Sequence, residues 1–174
     1  PGDKVLCNAY TLAPVPGAIE NAGAAIELVD IVDDYTIDLD DLDKKAAAPD
    51  ARWFMLSHMR GHIANMDRIM AICAARDLVL IEDCAHACGV RIGGQQVGTF
   101  GEIGVFSFAE GKNMPCFGGG VIVTANDDIA RRAEGILAQT SAPPKSETLK
   151  KAVKIWVEGL LTRPTIFGLT VYPL

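Results

Sequence analysis

Leu78-Val79-Leu80-Ile81-Glu82-Asp83-Cys84-Ala85-His86, then a glycine-bearing run from Val90 to Phe100, then Phe106-Ser107-Phe108-Ala109-Glu110-Gly111-Lys112: this stretch decides how the chain is read. Leu78 to Ile81 is an unbroken apolar run of strand length, the pattern of a strand covered on both faces by helices. It runs straight into Glu82 and Asp83. A hydroxyl, Ser107, and an amine, Lys112, sit in or just after the next apolar strand, Gly104 to Phe108. Charged groups that close to a core are costly unless they have partners. The stretch is therefore the expected chemical site.

Outward from it, strand and helix patterns alternate. On the amino-terminal side, Lys4 to Cys7, Ala25 to Val29 and Trp53 to Ser57 read as strands. Pro14 and Pro16 open a helix that Gly23 closes. Met66, Ile69, Met70 and Cys73 mark one apolar face of a helix capped by Asn65. On the carboxyl-terminal side, Gly93, Gly94 and Gly98 suit a hairpin or irregular loop, and Gly120 to Thr124 is a further strand. Asn126 caps a helix with Ile129, Ala133, Ile136 and Leu137 on one face. A proline-rich break at Ser141 to Lys145 ends that unit, and Leu149, Val153, Trp156 and Leu160 mark a last amphipathic helix.

The expected fold class is α/β, with a mainly parallel sheet, right-handed crossovers and helices on both faces. In such sheets ligands bind beyond the carboxyl ends of the strands. Thr11, His58, Asp83, His86 and the segment from Ser107 to Lys112 all end or follow separate strands, so they are expected to converge on one edge.

Composition narrows the function classes. A hydrophobic share of 49% over 174 residues describes a folded domain with a sizeable core. The net charge of -6 and scattered Lys and Arg argue against nucleic acid as a partner. Cys7, Cys73, Cys84, Cys88 and Cys116 are odd in number and mostly in apolar context, as in a cytoplasmic protein with reduced thiols. The apolar tail from Ile155 is interrupted by Glu158, Arg163 and two prolines, so no uncharged span of membrane length is expected. The acidic run from Asp33 to Asp43 lacks the spacing of a calcium loop and reads as a solvated loop and helix start. The glycines of the hairpin do not lie between a strand and a helix, which excludes a dinucleotide fingerprint. Cys84-x-His86-x-Cys88, taken as alternate residues on an extended segment, has no second ligand pair and is not expected to hold zinc. Pro1-Gly2-Asp3 leads almost at once into a strand, and the chain reads as an internal piece of a longer protein.

The chemistry these residues offer is that of an activated amine. A lysine in a partly desolvated pocket can form a Schiff base with an aldehyde, and Lys112 is the candidate. Asp83 could face a protonated pyridine nitrogen, and Ser107 with loop N–H groups could hold a phosphate. Plainer readings exist: Lys112 as a loop lysine, Asp83 as a strand-end cap, Ser107 as a satisfied core hydroxyl, His86 and His58 as structural histidines.

Ile81-Glu82-Asp83-Cys84-Ala85-His86, Gly98-Thr99-Phe100-Gly101, Phe106-Ser107-Phe108 with Lys112 five residues after the serine, and Gly119-Gly120 before an apolar strand together resemble the DegT/DnrJ/EryC1/StrS family. Pro1-Gly2-Asp3, Tyr10-Thr11 and the run from His58 to Asp67 match as well, so the resemblance covers residues 1 to about 138. It implies the large domain of the pyridoxal-phosphate transferase fold of aspartate aminotransferase (fold type I), here incomplete. On it, residues 1–140 would be the central part of the cofactor-binding domain, and 141–174 a break and helix leading toward a further domain.

The resemblance also implies pyridoxal 5'-phosphate as cofactor. Lys112 would carry it and shuttle protons, Asp83 would pair with the ring nitrogen, His86 would bond near the ring hydroxyl, Ser107 would bind the phosphate, and Thr11 would lie against the cofactor. The implied reaction moves an amino group from an amino acid, commonly glutamate, to a nucleotide-linked keto sugar, in a homodimer. Alternatives are a related sugar dehydratase, whose relatives carry histidine where Lys112 stands, and a non-catalytic homologue acting as a regulatory or binding module. Three positions depart from the family pattern: Leu12 and Arg60 where aromatics are common, and Gly118 where Glu is frequent. Arg60 points toward an anionic substrate.

Overall fold

In the computed structural model, residues 2–116, 118–140 and 144–164 are described. The amino-terminal half is three strand-helix units and a fourth strand. Strand β1 (Lys4–Asn8) leads to helix α1 (Pro14–Asn21) and β2 (Ala25–Val29). Helix α2 (Leu39–Ala46) leads to β3 (Ala51–Ser57), and α3 (Met66–Arg76) to β4 (Val79–Asp83). A two-stranded hairpin, β5 (Arg91–Ile92) and β6 (Gln95–Gln96), then precedes β7 (Ile103–Ser107) and β8 (Gly120–Val123), and helices α4 (Asp127–Ala138) and α5 (Lys145–Leu161) complete the order.

The main sheet has strand order β2-β1-β3-β4-β7-β8. Every pairing is parallel except β7 with the edge strand β8. The chain winds from β1 to β2 in one direction, then passes back over β1 to β3 and on to β4. With right-handed crossovers, that reversal sends α1 to one face and α2 and α3 to the other. The core shows the split. Leu6, Phe54, Leu56 and Leu80 pack with Leu42 of α2 and Ile69 of α3, whereas Val5 and Cys7 pack with Ile19 of α1. Successive residues of β1 thus serve opposite faces, as the two-residue period of a strand requires. The reversal also makes the β1/β3 boundary a topological switch point, where an open α/β sheet offers its ligand crevice.

Local signals account for the element ends. Asn65 Oδ1 accepts from the Arg68 N–H, and Asn126 accepts from the Asp128 and Ile129 N–H groups, capping α3 and α4. Asp38 caps α2 the same way, while Asp34 bonds Thr36 and Asp41 bonds Lys45, so the acidic run is a solvated loop and helix start. The turn of the β5-β6 hairpin is Gly93-Gly94, both at positive φ, as a two-residue turn of matching twist demands.

Beyond β7 the packing thins. Val121, Ile122, Ile136, Leu137, Leu149, Val153 and Trp156 are all exposed. Among the described residues, α5 is tied to the body by the Lys154–Glu110 ion pair at 3.0 Å. Of the proline-rich break, Ser141 to Pro143 lie outside the described residues. No described helix is long and apolar enough to cross a membrane.

Candidate functional site

At the switch point the ends of β1 and β3 are stitched by Asn8, a buried polar side chain closing an apolar strand. Its Oδ1 accepts the Ser57 N–H at 2.9 Å, and its amide donates to the carbonyls of Tyr10 and Ser57. That fixes Thr11 and Ser57 against each other, their hydroxyl oxygens 2.7 Å apart. The Ser57 hydroxyl donates in turn to Asp83 Oδ2 at 3.2 Å, and the Ala85 N–H donates to Oδ1 at 3.1 Å. Thr11, from the loop after β1, therefore reaches Asp83 through Ser57, across three strand ends.

A second group sits beside it. Lys112 Nζ lies 2.8 Å from His86 Nε2, and the backbone N–H of Arg60 approaches His86 Nδ1 at 3.4 Å. Burial, then the charges of Lys112 and Arg60, hold the His86 pKa below its ordinary value against the opposing pull of Asp83. Lys112 is half-buried in the loop after β7. Ser107 closes β7, two residues beyond the Val105 that pairs with Asp83, and its Oγ accepts from the Ala109 N–H at 3.4 Å. All five expected residues, Thr11, Asp83, His86, Ser107 and Lys112, thus lie at the carboxyl edge of the sheet. Two direct clusters form among them: Thr11-Ser57-Asp83 and Lys112-His86.

Glu82, one residue before Asp83, points the other way and is fully buried. It accepts from the N–H groups of Gly98, Phe100 and Gly101 at 2.8 to 2.9 Å and contacts His58 Nε2 at 3.2 Å. Burial alone would raise its pKa, but the hydrogen bonds from His58, Gly101 and Gly98 outweigh that and hold it below the usual carboxylate range. His58 backbone N–H also donates to the Asp83 carbonyl at 3.0 Å. His58 is therefore a structural histidine at this edge.

The segment from Cys84 to Gly89 is a pair of turns, not the extended strand assumed for Cys84-x-His86-x-Cys88. The Asp83 carboxylate and the following N–H groups close it back on itself. Cys84 is buried against Val97 and Phe106 while His86 faces Lys112, so the three residues do not share a face. Cys84 lies within 4.8 Å of His58 and Glu82, but the Glu82 oxygens are already committed to backbone donors and burial pushes the thiol well above its ordinary pKa. That trio is packing. Cys7 and Cys73 are likewise buried, each pushed up to about 11.

Asn8, Ser57 and the acceptor role of Glu82 were not anticipated from the sequence. A polar residue closing an apolar run, as at Asn8 and Ser57, is the signal that marks them.

Comparison with known proteins places the chain. A UDP-N-acetyl-3-dehydro-alpha-D-glucosamine 3-aminotransferase of Acidithiobacillus ferrooxidans is 37% identical over 138 residues, covering 78% of this chain and 37% of that protein. A pleiotropic regulatory protein of Geobacillus stearothermophilus is 36% identical over 145 residues, covering 82% of this chain and 39% of the relative. The chain thus spans under two fifths of the length of these relatives. Among solved structures, S. venezuelae DesV in complex with a ketimine intermediate matches with a TM-score of 0.74 and 29% identity, over 92% of this chain and 46% of that one. The sheet is that of the fold type I transferases. The DegT/DnrJ/EryC1/StrS aminotransferase family model matches residues 1–159, and the chain belongs to that family.

Proposed function

We propose that the chain forms the pyridoxal-phosphate-binding part of an aminotransferase that moves an amino group from an amino acid, glutamate by preference, to a keto sugar carried on a nucleotide. The observation that carries this reading is that a half-buried lysine, Lys112, bonded to His86, and a carboxylate, Asp83, bonded to Ser57, follow or end neighbouring strands at the carboxyl edge of a family member's sheet. The residues suit the cofactor by kind: an amine for its aldehyde, a carboxylate for a basic ring nitrogen, and a hydroxyl for its phosphate. When bound, pyridoxal phosphate supplies an electron sink.

The chain's own groups divide the remaining work. Asp83, held by Ser57 and the Ala85 N–H, keeps its carboxylate in place to accept from a protonated ring nitrogen. A charge pair of that kind at about 4 Å is worth roughly 4 kcal/mol at an effective dielectric near 20. Lys112 holds or releases a proton at Nζ, and His86, kept neutral by its surroundings, sits at hydrogen-bond distance to steer it. Ser107 is the phosphate donor, and Thr11 acts on Asp83 through Ser57 as well as facing the crevice. Residues 1–140 form the central part of the cofactor domain, and 141–174 lead toward a further one. The whole protein is a cytoplasmic homodimer in this reading; the exposed apolar side chains of β8, α4 and α5 are consistent with surface that other segments or a second subunit cover.

The test is the visible absorption spectrum of the folded chain with added pyridoxal phosphate, beside a Lys112→Ala control checked by circular dichroism. A visible absorption band that only the lysine-bearing chain shows is the expected result, since an imine of the lysine conjugated to the pyridine ring is a new chromophore. An identical spectrum in the control, or no band in the folded chain, overturns it.

A further inference from the structure

Three non-glycine residues among those described adopt left-handed backbone: Tyr35 at φ 66°, Arg60 at φ 54° and Asp77 at φ 55°. Two have local reasons. Asp77 is the C-cap of α3, and Tyr35 ends a tight turn that its own N–H closes on the Val32 carbonyl. Arg60, at φ 54° and ψ 20°, is followed by Gly61 at φ 77°, and the His62 N–H closes the pair on the Met59 carbonyl at 2.9 Å. Positive φ at both central positions is the geometry of a type I′ turn, whose first central position favours Asn, Asp or Gly. An arginine there carries the left-handed penalty with no local gain.

The gain lies outside the turn. Its first residues, His58 and Met59, are buried, and His58 is fixed by its N–H on the Asp83 carbonyl at 3.0 Å and by Nε2 against Glu82 at 3.2 Å. Within the turn, the Gly61 N–H goes to the His58 carbonyl and the His62 N–H to the Met59 carbonyl. The Arg60 N–H goes instead to His86 Nδ1, at 3.4 Å. The turn also lies against the His86 backbone, since a Cβ on Gly61 would stand 3.5 Å from the His86 carbonyl oxygen. The opposite ring nitrogen, Nε2, meets Lys112 Nζ at 2.8 Å. Holding Nδ1 at the Arg60 N–H therefore aims Nε2 at Lys112. A turn of the ordinary hand would reverse the peptide planes and take that N–H off the line. Strain of this kind persists where the surroundings over-determine it, and it gathers at functional sites.

We infer that Arg60 is a positioning residue for the reaction proposed above: its backbone, held left-handed in the Met59–His62 turn, fixes the His86 ring so that Nε2 meets Lys112. The part it plays in the reaction rests on that proposed function, and the contact with His86 stands independently of it.

The test is an NMR titration of His86 in the folded chain without cofactor, its ring signals identified by their loss in His86→Gln. Arg60→Gly and Arg60→Asn keep the turn, since both residues accept positive φ, whereas the β-branched residue of Arg60→Val does not. All three lose the guanidinium, so the differences among them report the backbone alone. Asp83 and Lys112, the other charged groups acting on His86, are untouched. An N–H donated to Nδ1 favours the neutral ring, so losing it raises the proton affinity. His86 should bind a proton about 2- to 10-fold more tightly in Arg60→Val than in Arg60→Gly or Arg60→Asn, the worth of one hydrogen bond. In the wild type, the Arg60 amide signal should move with the His86 titration and cease to do so in His86→Gln, a reading that needs no turn variant to fold. With pyridoxal phosphate, the Lys112-dependent band should need about 2- to 10-fold more cofactor to half-develop in Arg60→Val than in Arg60→Gly. Equal His86 titrations in folded Arg60→Gly and Arg60→Val, or an Arg60 amide that ignores His86, would overturn the inference. A band that develops equally in the two would overturn the part Arg60 plays in the reaction. No band in any of the chains overturns the proposed cofactor site and leaves the His86 contact standing.

Discussion

Glu82 and Asp83 are consecutive carboxylates at the end of one strand, and the molecule treats them oppositely. Strand alternation turns Glu82 into the core, where three backbone N–H groups and His58 surround it. Asp83 turns to the open edge, where it receives one hydroxyl and one N–H and keeps accepting capacity to spare. A carboxylate oxygen can accept about two bonds, so Glu82 is close to saturated and Asp83 is not. The saturated one builds the fold by clamping the loop from Gly98 to Gly101 onto β4. The unsaturated one is available to a ligand. Charge alone does not separate a structural acid from a functional one; the count of donors already engaged does.

The contrast is sharpest under substitution. Glu82→Leu removes the acceptor and leaves the buried Gly98 N–H, the part-buried Phe100 and Gly101 N–H groups and the buried His58 without it, and should cost about 3–5 kcal/mol, read from urea denaturation. A loss below about 1 kcal/mol would mean that the loop is held by something other than this carboxylate. Acid gives a second reading of the same clamp. The folded pKa of Glu82 is depressed, so its stabilisation is complete above the unfolded value of about 4.3 and is lost as pH falls through the folded one. The unfolding midpoint of the wild type should fall in that window, and Glu82→Gln should flatten this limb. The smallest stability effect belongs to Asp83→Asn, which keeps an acceptor oxygen at a half-exposed edge and should cost under about 1 kcal/mol in the same denaturation series. If it cost as much as Glu82→Leu, the division between the two acids would fail.

Much of this was legible from the chain. The unbroken apolar run of β4, the capping residues Asn65 and Asn126, and the Gly93-Gly94 turn carry local signals, and each element lies where those signals put it. The convergence of Thr11, Asp83, His86, Ser107 and Lys112 on one edge followed from the alternation of strands and helices. What was not legible depends on partners far away in sequence. The periodicity of β4 says that Glu82 and Asp83 face opposite sides, but not that Gly98, Phe100 and Gly101 return to meet the first. Asn8 to Ser57 spans 49 residues, and no window reads that far. Cys84 to Gly89 misled for the opposite reason: its polar spacing imitates a strand, while the Asp83 carboxylate folds it into turns. The left-handed backbone of Tyr35 and Arg60 has no sequence signal, since neither is a residue that favours it.

The central claim, that Asp83 is the acid left free for the ring of the cofactor, is tested most directly by titrating pyridoxal phosphate into Asp83→Asn beside the wild-type chain. The readout is visible absorbance, at a pH where denaturation shows both fully folded. The account predicts affinity weaker by about 10- to 100-fold, the worth of a hydrogen bond to a charged group, with the unfolding midpoint nearly unchanged. Equal affinity in the two proteins would contradict it and return Asp83 to the structural role that Glu82 fills.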